Sequence, residues 1–239
     1  MIKLSVVIPA YNEEKRLPPT LEDVFNYLKN QNYAWEILVV NDGSTDNTAK
    51  VVNDFKQSHD NVRLIDNKNN QGKGGVVKQG MLEASGAWRL FMDADNSTRI
   101  KDIAKFWPHT DEFEILIGSR YTTGSVITEK QSFLRRFISR AGNTLTRILI
   151  LPGIADTQCG FKLFSARACE KIFPKQTFMR WSFDMEILSI AKRLGYKIKE
   201  IPITWENAAG SKLPGGLKVA WRTIKDLFKI KWNLISHKY

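Results

Sequence analysis

The chain has 239 residues, 43% of them hydrophobic, and a net charge of +11. That length and apolar content fit one α/β domain with a substantial core. The start, MIKLSVVIPAYNEE, is too short in apolar residues for a signal peptide, and ILILPGIA falls far below the roughly 20 residues of a membrane span.

Cys159 and Cys169 make no metal-ligand spacing, and a reduced, cytosolic compartment is the simplest context. The charge is localised. Arg120–Ile150 holds six Lys/Arg and one acid, Lys212–Tyr239 seven and one, and the remainder balances. A neutral body with two basic stretches predicts a localised anionic partner: a nucleic acid, an anionic membrane or a phosphorylated substrate.

In chain order, KLSVVIPA predicts a first strand, followed by a helix over about Glu14–Asn30. WEILVVND is a second strand, followed by a helix over Asp46–Ser58; NVRLID is a third, followed by Gly74–Ala84. WRLFMD and EILIGSR complete the strands of the first half. These runs are continuous and rich in Val, Ile and Leu, as strands covered on both faces require. Alternation with helices implies a mostly parallel sheet, whose ligands bind at the carboxyl ends of its strands. PAYNEE, NDGSTDNT and DADNST all fall there.

Past Tyr121 the pattern changes. On a helical wheel Phe133–Leu149 separates into an apolar arc and an arginine arc of Arg135, Arg136, Arg140 and Arg147. Over Leu217–Ile235, Leu217, Trp221, Ile224, Leu227, Phe228, Ile230, Trp232, Leu234 and Ile235 share one wide arc, beside a narrow edge of Lys218, Arg222, Lys225 and Lys229. Such helices either pack on the domain with solvated basic faces or lie in a membrane interface. Two of them on an otherwise neutral chain favour the membrane.

Asp93 and Asp95 stand at i and i+2, so in an extended chain both point to one face. Like charges that close repel. Asp-x-Asp also serves plain turns and helix starts. A divalent cation, Mg²⁺ or Mn²⁺, shared with a nucleotide diphosphate would explain the pair, because its charge cancels the repulsion and stabilises a departing diphosphate. In NDGSTDNT, Ser44 to Asp46 suit a helix cap, whereas Asp42 is free to accept from a base or ribose. NNQGKGG lacks both the dinucleotide and the P-loop spacing; Lys73 at a helix start is a weak phosphate signal. His59, His109 and His237 lie near no motif, and no serine elbow or Cys/His nucleophile pattern is present. The expected acceptor is therefore already nucleophilic at neutral pH, as a largely dianionic phosphate monoester is.

Together, SVVIPAYNEE, VVNDGSTDNT, GKGGVVKQG and DADNST resemble the inverting nucleotide-sugar glycosyltransferases of GT-A fold. GSRY, RRFISRAGN, DTQCGFKLF, FDMEIL, IPITW and GSKL look like the polyprenyl-phosphate sugar transferases, the dolichyl-phosphate mannose and glucose synthases, nearer the glucosyl branch. The resemblance implies an α/β GT-A domain over 1–213, with a nucleotide-sugar half (1–118), an acceptor half (119–213) and a basic amphipathic helix at 214–239. It implies that Pro9, Ala10, Tyr11, Glu13, Asp42, Lys73 and Ala94 hold the nucleotide, and that Asp93 and Asp95 hold the metal with Ser97. Arg120, Arg135, Ser139 and Lys212 would hold the acceptor phosphate, and Asp156, Gln158 and Asp184 would line the sugar pocket. The cysteine and glycine of QCGFK also fit a plain turn.

The expected activity is transfer of a hexose from UDP-glucose, or secondarily GDP-mannose, to a polyprenyl phosphate. It would take place peripherally on the cytoplasmic face of a membrane, with no role for nucleic acid. One alternative is a transferase acting on a sugar hydroxyl, with Asp156, Asp184 or Glu186 as base. Another is a non-catalytic membrane-binding protein.

Overall fold

The computed structural model describes residues 1–128, 144–206 and 217–239. Seven strands form one sheet, in the order β3 (Val62–Asn67), β2 (Trp35–Asp42), β1 (Leu4–Ala10), β4 (Trp88–Met92), β7 (Phe161–Ser165), β5 (Ile115–Ser119) and β8 (Ile198–Pro202), and two short ones form a second. The first half supplies β1 (Leu4–Ala10), α1 (Leu17–Leu28), β2 (Trp35–Asp42), α2 (Thr48–Lys56), β3 (Val62–Asn67), α3 (Lys73–Glu83), β4 (Trp88–Met92) and β5 (Ile115–Ser119). β1, β2, β3 and β4 are parallel. All seven residues of β1 and all eight of β2 are buried, as continuous apolar runs require. Alternate residues go to opposite faces: Val7, Leu38, Val40 and Phe91 to one core, Val6, Ile8, Val39 and Leu90 to the other.

The expected helix from Glu14 begins later, at Leu17, with prolines in its first turn. The backbone N–H groups of Glu13 and Glu14 are taken by Thr48 Oγ1 (2.8 Å) and Asp46 Oδ2 (3.2 Å), which hold the chain in a loop.

The second half supplies β6 (Val126–Ile127), β7 (Phe161–Ser165), α4 (Ala166–Ile172), α5 (Phe183–Arg193), β8 (Ile198–Pro202), β9 (Thr204–Trp205) and α6 (Leu217–Ile235). β7 enters the centre of the sheet, antiparallel to both β4 and β5. The amphipathic helix expected over Phe133–Leu149 lies mostly outside the described residues; helix is present over 144–149, where Leu145 and Leu149 pack on the core and Ile148 is exposed.

On α6 the single apolar arc divides. Leu227 and Ile230 are buried and Leu234 packs beside them, whereas Trp221, Phe228 and Trp232 are 61%, 59% and 68% exposed, with Ile235 exposed one turn on. The helix therefore has an inward apolar seam and a separate outward aromatic stripe. Among the described residues no helix is long and apolar enough to cross a membrane.

Candidate active site

The carboxyl ends of β1, β2 and β4 meet at one rim. β1 runs through Pro9 and Ala10 into the exposed Tyr11 and then Asn12, which is left-handed at φ 55°. Asn12 binds the loop after β2: its N–H donates to Ser44 Oγ (2.9 Å) and its Oδ1 accepts from the Thr45 N–H (2.9 Å). Of the expected cap Ser44 to Asp46, only Asp46 reaches α2, accepting from the Thr48 N–H (2.9 Å); the N-cap position is Asn47, which makes no side-chain cap bond, and Ser44 and Thr45 turn to Asn12.

Asp42 faces the next loop. Its carboxylate accepts from the N–H groups of Gln71 (2.6 Å) and Gly72 (3.1 Å) and from Asn70 Nδ2 (3.0 Å). Burial pushes this carboxyl up, against the pull of those hydrogen bonds. Asp42 thus organises the glycine loop. The glycines there answer to backbone contact, since a Cβ on Gly72 would stand 2.4 Å from Met179 O and one on Gly74 2.7 Å from Phe178 O. The Gly75 N–H near the start of α3 donates to Met179 O (3.1 Å), so that donor is already used.

Lys73 turns inward instead, 2.6 Å from Asp93 Oδ1. Burial works against its charge, but Asp93, Asp184 and Asp95 together hold its pKa above the ordinary lysine range. Asp95 Oδ1 accepts from the Ser97 N–H (3.0 Å), and Ala94 O accepts from Thr20 Oγ1 on α1 (2.8 Å), which fixes the loop. Glu13 stands close enough for both aspartates to reinforce the upward shift that burial gives it, against the Arg16 charge.

Gly160 is the contact that sequence reading missed. A Cβ there would lie 2.1 Å from Asp93 Oδ2, and its carbonyl accepts the Asp93 N–H (3.1 Å). Gly160 stands in the bend that leads into β7, so QCGFK does connect two elements, and the same glycine is the floor on which the Asp93 carboxylate rests. Lys162, two residues on, is also new. It is buried on β7, bonded to Asp184 Oδ1 and to Cys159 O. A lysine inside the apolar run FKLF was the available signal, because buried ammonium groups require a partner. Arg180 stands over Gly72, and its charge opposes the upward shift that burial gives Asp42.

Of the acceptor-side residues, Arg135, Ser139 and Lys212 lie outside the described residues. Arg120 holds Asp156 through Nε (2.7 Å), Nη2 (2.9 Å) and its own N–H (3.1 Å). Asp156 is fully buried, and Gln158, exposed, donates its N–H to it (3.3 Å). Burial raises the Asp156 pKa, but the Arg120 charge and hydrogen bonds outweigh that and leave it below the usual carboxylate range. The pair therefore stabilises the fold above the unfolded carboxyl pKa of about 4, and the contribution is lost as pH falls through the lower folded value. Arg120→Ala strands a buried charge and is expected to cost about 3–5 kcal/mol, read as a lower urea midpoint at pH 7. A midpoint within error of wild type would refute this.

Asp184 is buried against Lys162, and burial pushes its pKa up. Glu186 accepts from Thr177 Oγ1 (2.6 Å), the Phe178 N–H (2.8 Å) and Tyr239 Oη (2.7 Å). A separate concavity lined by Phe113, Pro152, Lys192 and Tyr196 lies at the amino ends of β5 and β8, opposite this rim.

Asp93 and Asp95 offer hard oxygen donors, the type Mg²⁺ and Mn²⁺ take. Among the described residues no three His, Cys, Asp or Glu side chains form a complete cage. Two carboxylates with positions left for phosphate oxygens and water is the usual arrangement for a cation shared with a nucleotide. The residues therefore fit such an ion.

Residues 5–173 match the family described as Glycosyl transferase family 2. The chain is 42% identical over 237 residues to a dolichyl-phosphate beta-glucosyltransferase of Trichomonas vaginalis, covering 94% of this chain and 72% of the relative. It is 40% identical to the dolichyl-phosphate beta-glucosyltransferase of Saccharomyces cerevisiae, covering 89% and 69%. Among solved structures it resembles glucosyl-3-phosphoglycerate synthase of Mycobacterium tuberculosis in complex with Mn²⁺, UDP-glucose and phosphoglyceric acid (TM-score 0.71, 15% identity, 96% and 80% covered). Mannosyl-3-phosphoglycerate synthase of Rubrobacter xylanophilus is similarly related (TM-score 0.71, 13% identity, 99% and 75% covered). At those identities the structural likeness concerns the fold, a mostly parallel sheet flanked by helices.

Proposed function

We propose, from the premise that this chain belongs to glycosyl transferase family 2 and is a glycosyltransferase, that it moves glucose from UDP-glucose to a polyprenyl phosphate of the dolichyl type at a membrane surface. An acceptor phosphate oxygen bonds to the anomeric carbon as the bond from that carbon to the UDP β-phosphate oxygen breaks, and the configuration inverts. A dianionic phosphate brings its own electron pair, so no side chain need remove a proton. Asp93 and Asp95, with Ser97 beside them, would hold Mg²⁺ or Mn²⁺, which when bound neutralises the departing diphosphate. Pro9, Ala10, Tyr11, Glu13 and Asp42 would frame the nucleotide, and Lys73 can exchange Asp93 for a phosphate. Arg135, Ser139 and Lys212 would hold the acceptor phosphate, on the family resemblance alone.

One observation carries the choice of a phosphate acceptor over a sugar hydroxyl. The three carboxylates named above as candidate bases are engaged inside the protein: Asp156 by Arg120, Asp184 by Lys162, Glu186 by Thr177, Phe178 and Tyr239. The test is incubation of the chain with labelled UDP-glucose, UDP-galactose or GDP-mannose and either dolichyl phosphate or free sugars. Lipid-linked glucose from UDP-glucose is the expected product; label only on a free sugar would overturn the reading.

The membrane part rests on α6. Its outward stripe is not needed by the core, so changing Trp221, Phe228 and Trp232 together to Ser is expected to leave the melting temperature within a few degrees. Sedimentation with anionic liposomes should fall at least ten-fold, since each aromatic withdrawn from lipid forfeits about 1.5–3 kcal/mol. Undiminished liposome binding would refute the assignment.

A further inference from the structure

We infer that Trp181 is the surface against which the transferred hexose packs, a specificity-determining contact for the donor; this rests on the reading above that a nucleotide sugar is anchored at Asp93 and Asp95. Trp181 is 51% exposed and, unlike the exposed tryptophans of α6, it lies beside Lys73 at the rim. The segment around it is tied down at three points. Met179 O accepts the Gly75 N–H (3.1 Å), the Phe178 N–H donates to Glu186 (2.8 Å), and Ser182 Oγ donates to Asp226 on α6. The indole is therefore held out over the rim by its neighbours rather than drawn into a core.

Its position relative to the carboxylates follows from Lys73. The Lys73 ammonium lies 5.5 Å from the Trp181 ring centre and 2.6 Å from Asp93 Oδ1, which puts the indole centre within about 8 Å of that oxygen. A diphosphate oxygen sharing a cation with Asp93 at ligand distances of about 2.1 Å stands roughly 3–4 Å from the carboxylate. The anomeric carbon is one phosphoester linkage further. The pyranose ring thus falls at the distance of the indole, and its apolar C–H face matches an aromatic face in shape and polarity. Lys73 stays beside both, its charge available to the β-phosphate. Asp184, three residues after Trp181 and buried against Lys162, fixes the start of α5 from below.

Calorimetric titration of the whole chain in Mn²⁺ with UDP and with UDP-glucose tests this. Trp181→Ala is expected to weaken UDP-glucose binding roughly five- to ten-fold while leaving UDP binding within about two-fold, because only the sugar meets the indole. Trp181→Phe should keep most of the affinity. Donor KM should rise in Trp181→Ala with the polyprenyl-phosphate KM unchanged. An unaltered UDP-glucose affinity, an equal loss for UDP and UDP-glucose, or a rise confined to the polyprenyl-phosphate KM each overturns the inference, the last in favour of a lipid contact. Failure of the wild-type chain to bind UDP at all overturns the donor reading itself, a different result from UDP binding with an unaltered Trp181→Ala protein.

Discussion

An Asp95→Ala protein is expected to fold normally and to lose transfer by about a thousand-fold or more, the several kcal/mol that a cation at a departing diphosphate supplies. The side chain is half-buried and accepts one hydrogen bond, from the N–H of Ser97 two residues on (3.0 Å). It contributes little to the core, so the melting temperature should move by only a few degrees. EDTA should abolish the wild-type activity to the same extent, and added Mg²⁺ or Mn²⁺ should restore it. Asp95→Asn should recover little, because an amide carries no charge to hold the ion. Full turnover in EDTA, or an active Asp95→Ala protein, would show that the pair does not act through a metal.

Gly160→Ala is expected to lower turnover about a hundred-fold. The added methyl would occupy the space of the Asp93 carboxylate, 2.1 Å from Oδ2 and 2.3 Å from Cγ, so the side chain must rotate away. Displacing a reacting group or its anchor by about an ångström costs that much in a positioned site. Gly160 does not adopt the left-handed backbone, and alanine is conformationally acceptable there. The clash is with the end of a side chain that is 32% exposed and not with backbone, so stability should change by less than about 1 kcal/mol. Circular dichroism and a melting curve alongside the assay separate the two effects. A fully active variant would mean that Asp93 works from a different rotamer; an inactive one that also melts far below wild type would make Gly160 a structural residue.

The two substitutions probe neighbouring atoms that were unequally visible in the sequence. Asp93 and Asp95 stand at the end of WRLFM, where composition alone locates the end of a strand. Asp42 is equally clear at the end of WEILVVND, although its partners were not: a carboxylate that reads as a free nucleotide ligand proves to be bound to Asn70, Gln71 and Gly72. Loop closure of that kind depends on where the segment at 69–72 returns in space, and residue periodicity carries no such information.

Local patterning determined the strands of the first half, their helical crossovers and the rim on which the acidic motifs gather, because burial on both faces demands continuous apolar runs and a parallel sheet exposes its carboxyl ends together. Only the tertiary structure decided the rest. β7 pairs with β4 in the opposite direction across the 68 residues between Met92 and Phe161, bringing Gly160 beneath Asp93 and Lys162 to Asp184; pairing at such separation is set by sheet order, which no local window contains. The same holds for α6. Its periodicity marks one wide apolar arc, but α5 and the core beside it cover Leu227 and Ile230 and leave Trp221, Phe228 and Trp232 outside, because a helix can be covered only where a neighbour lies.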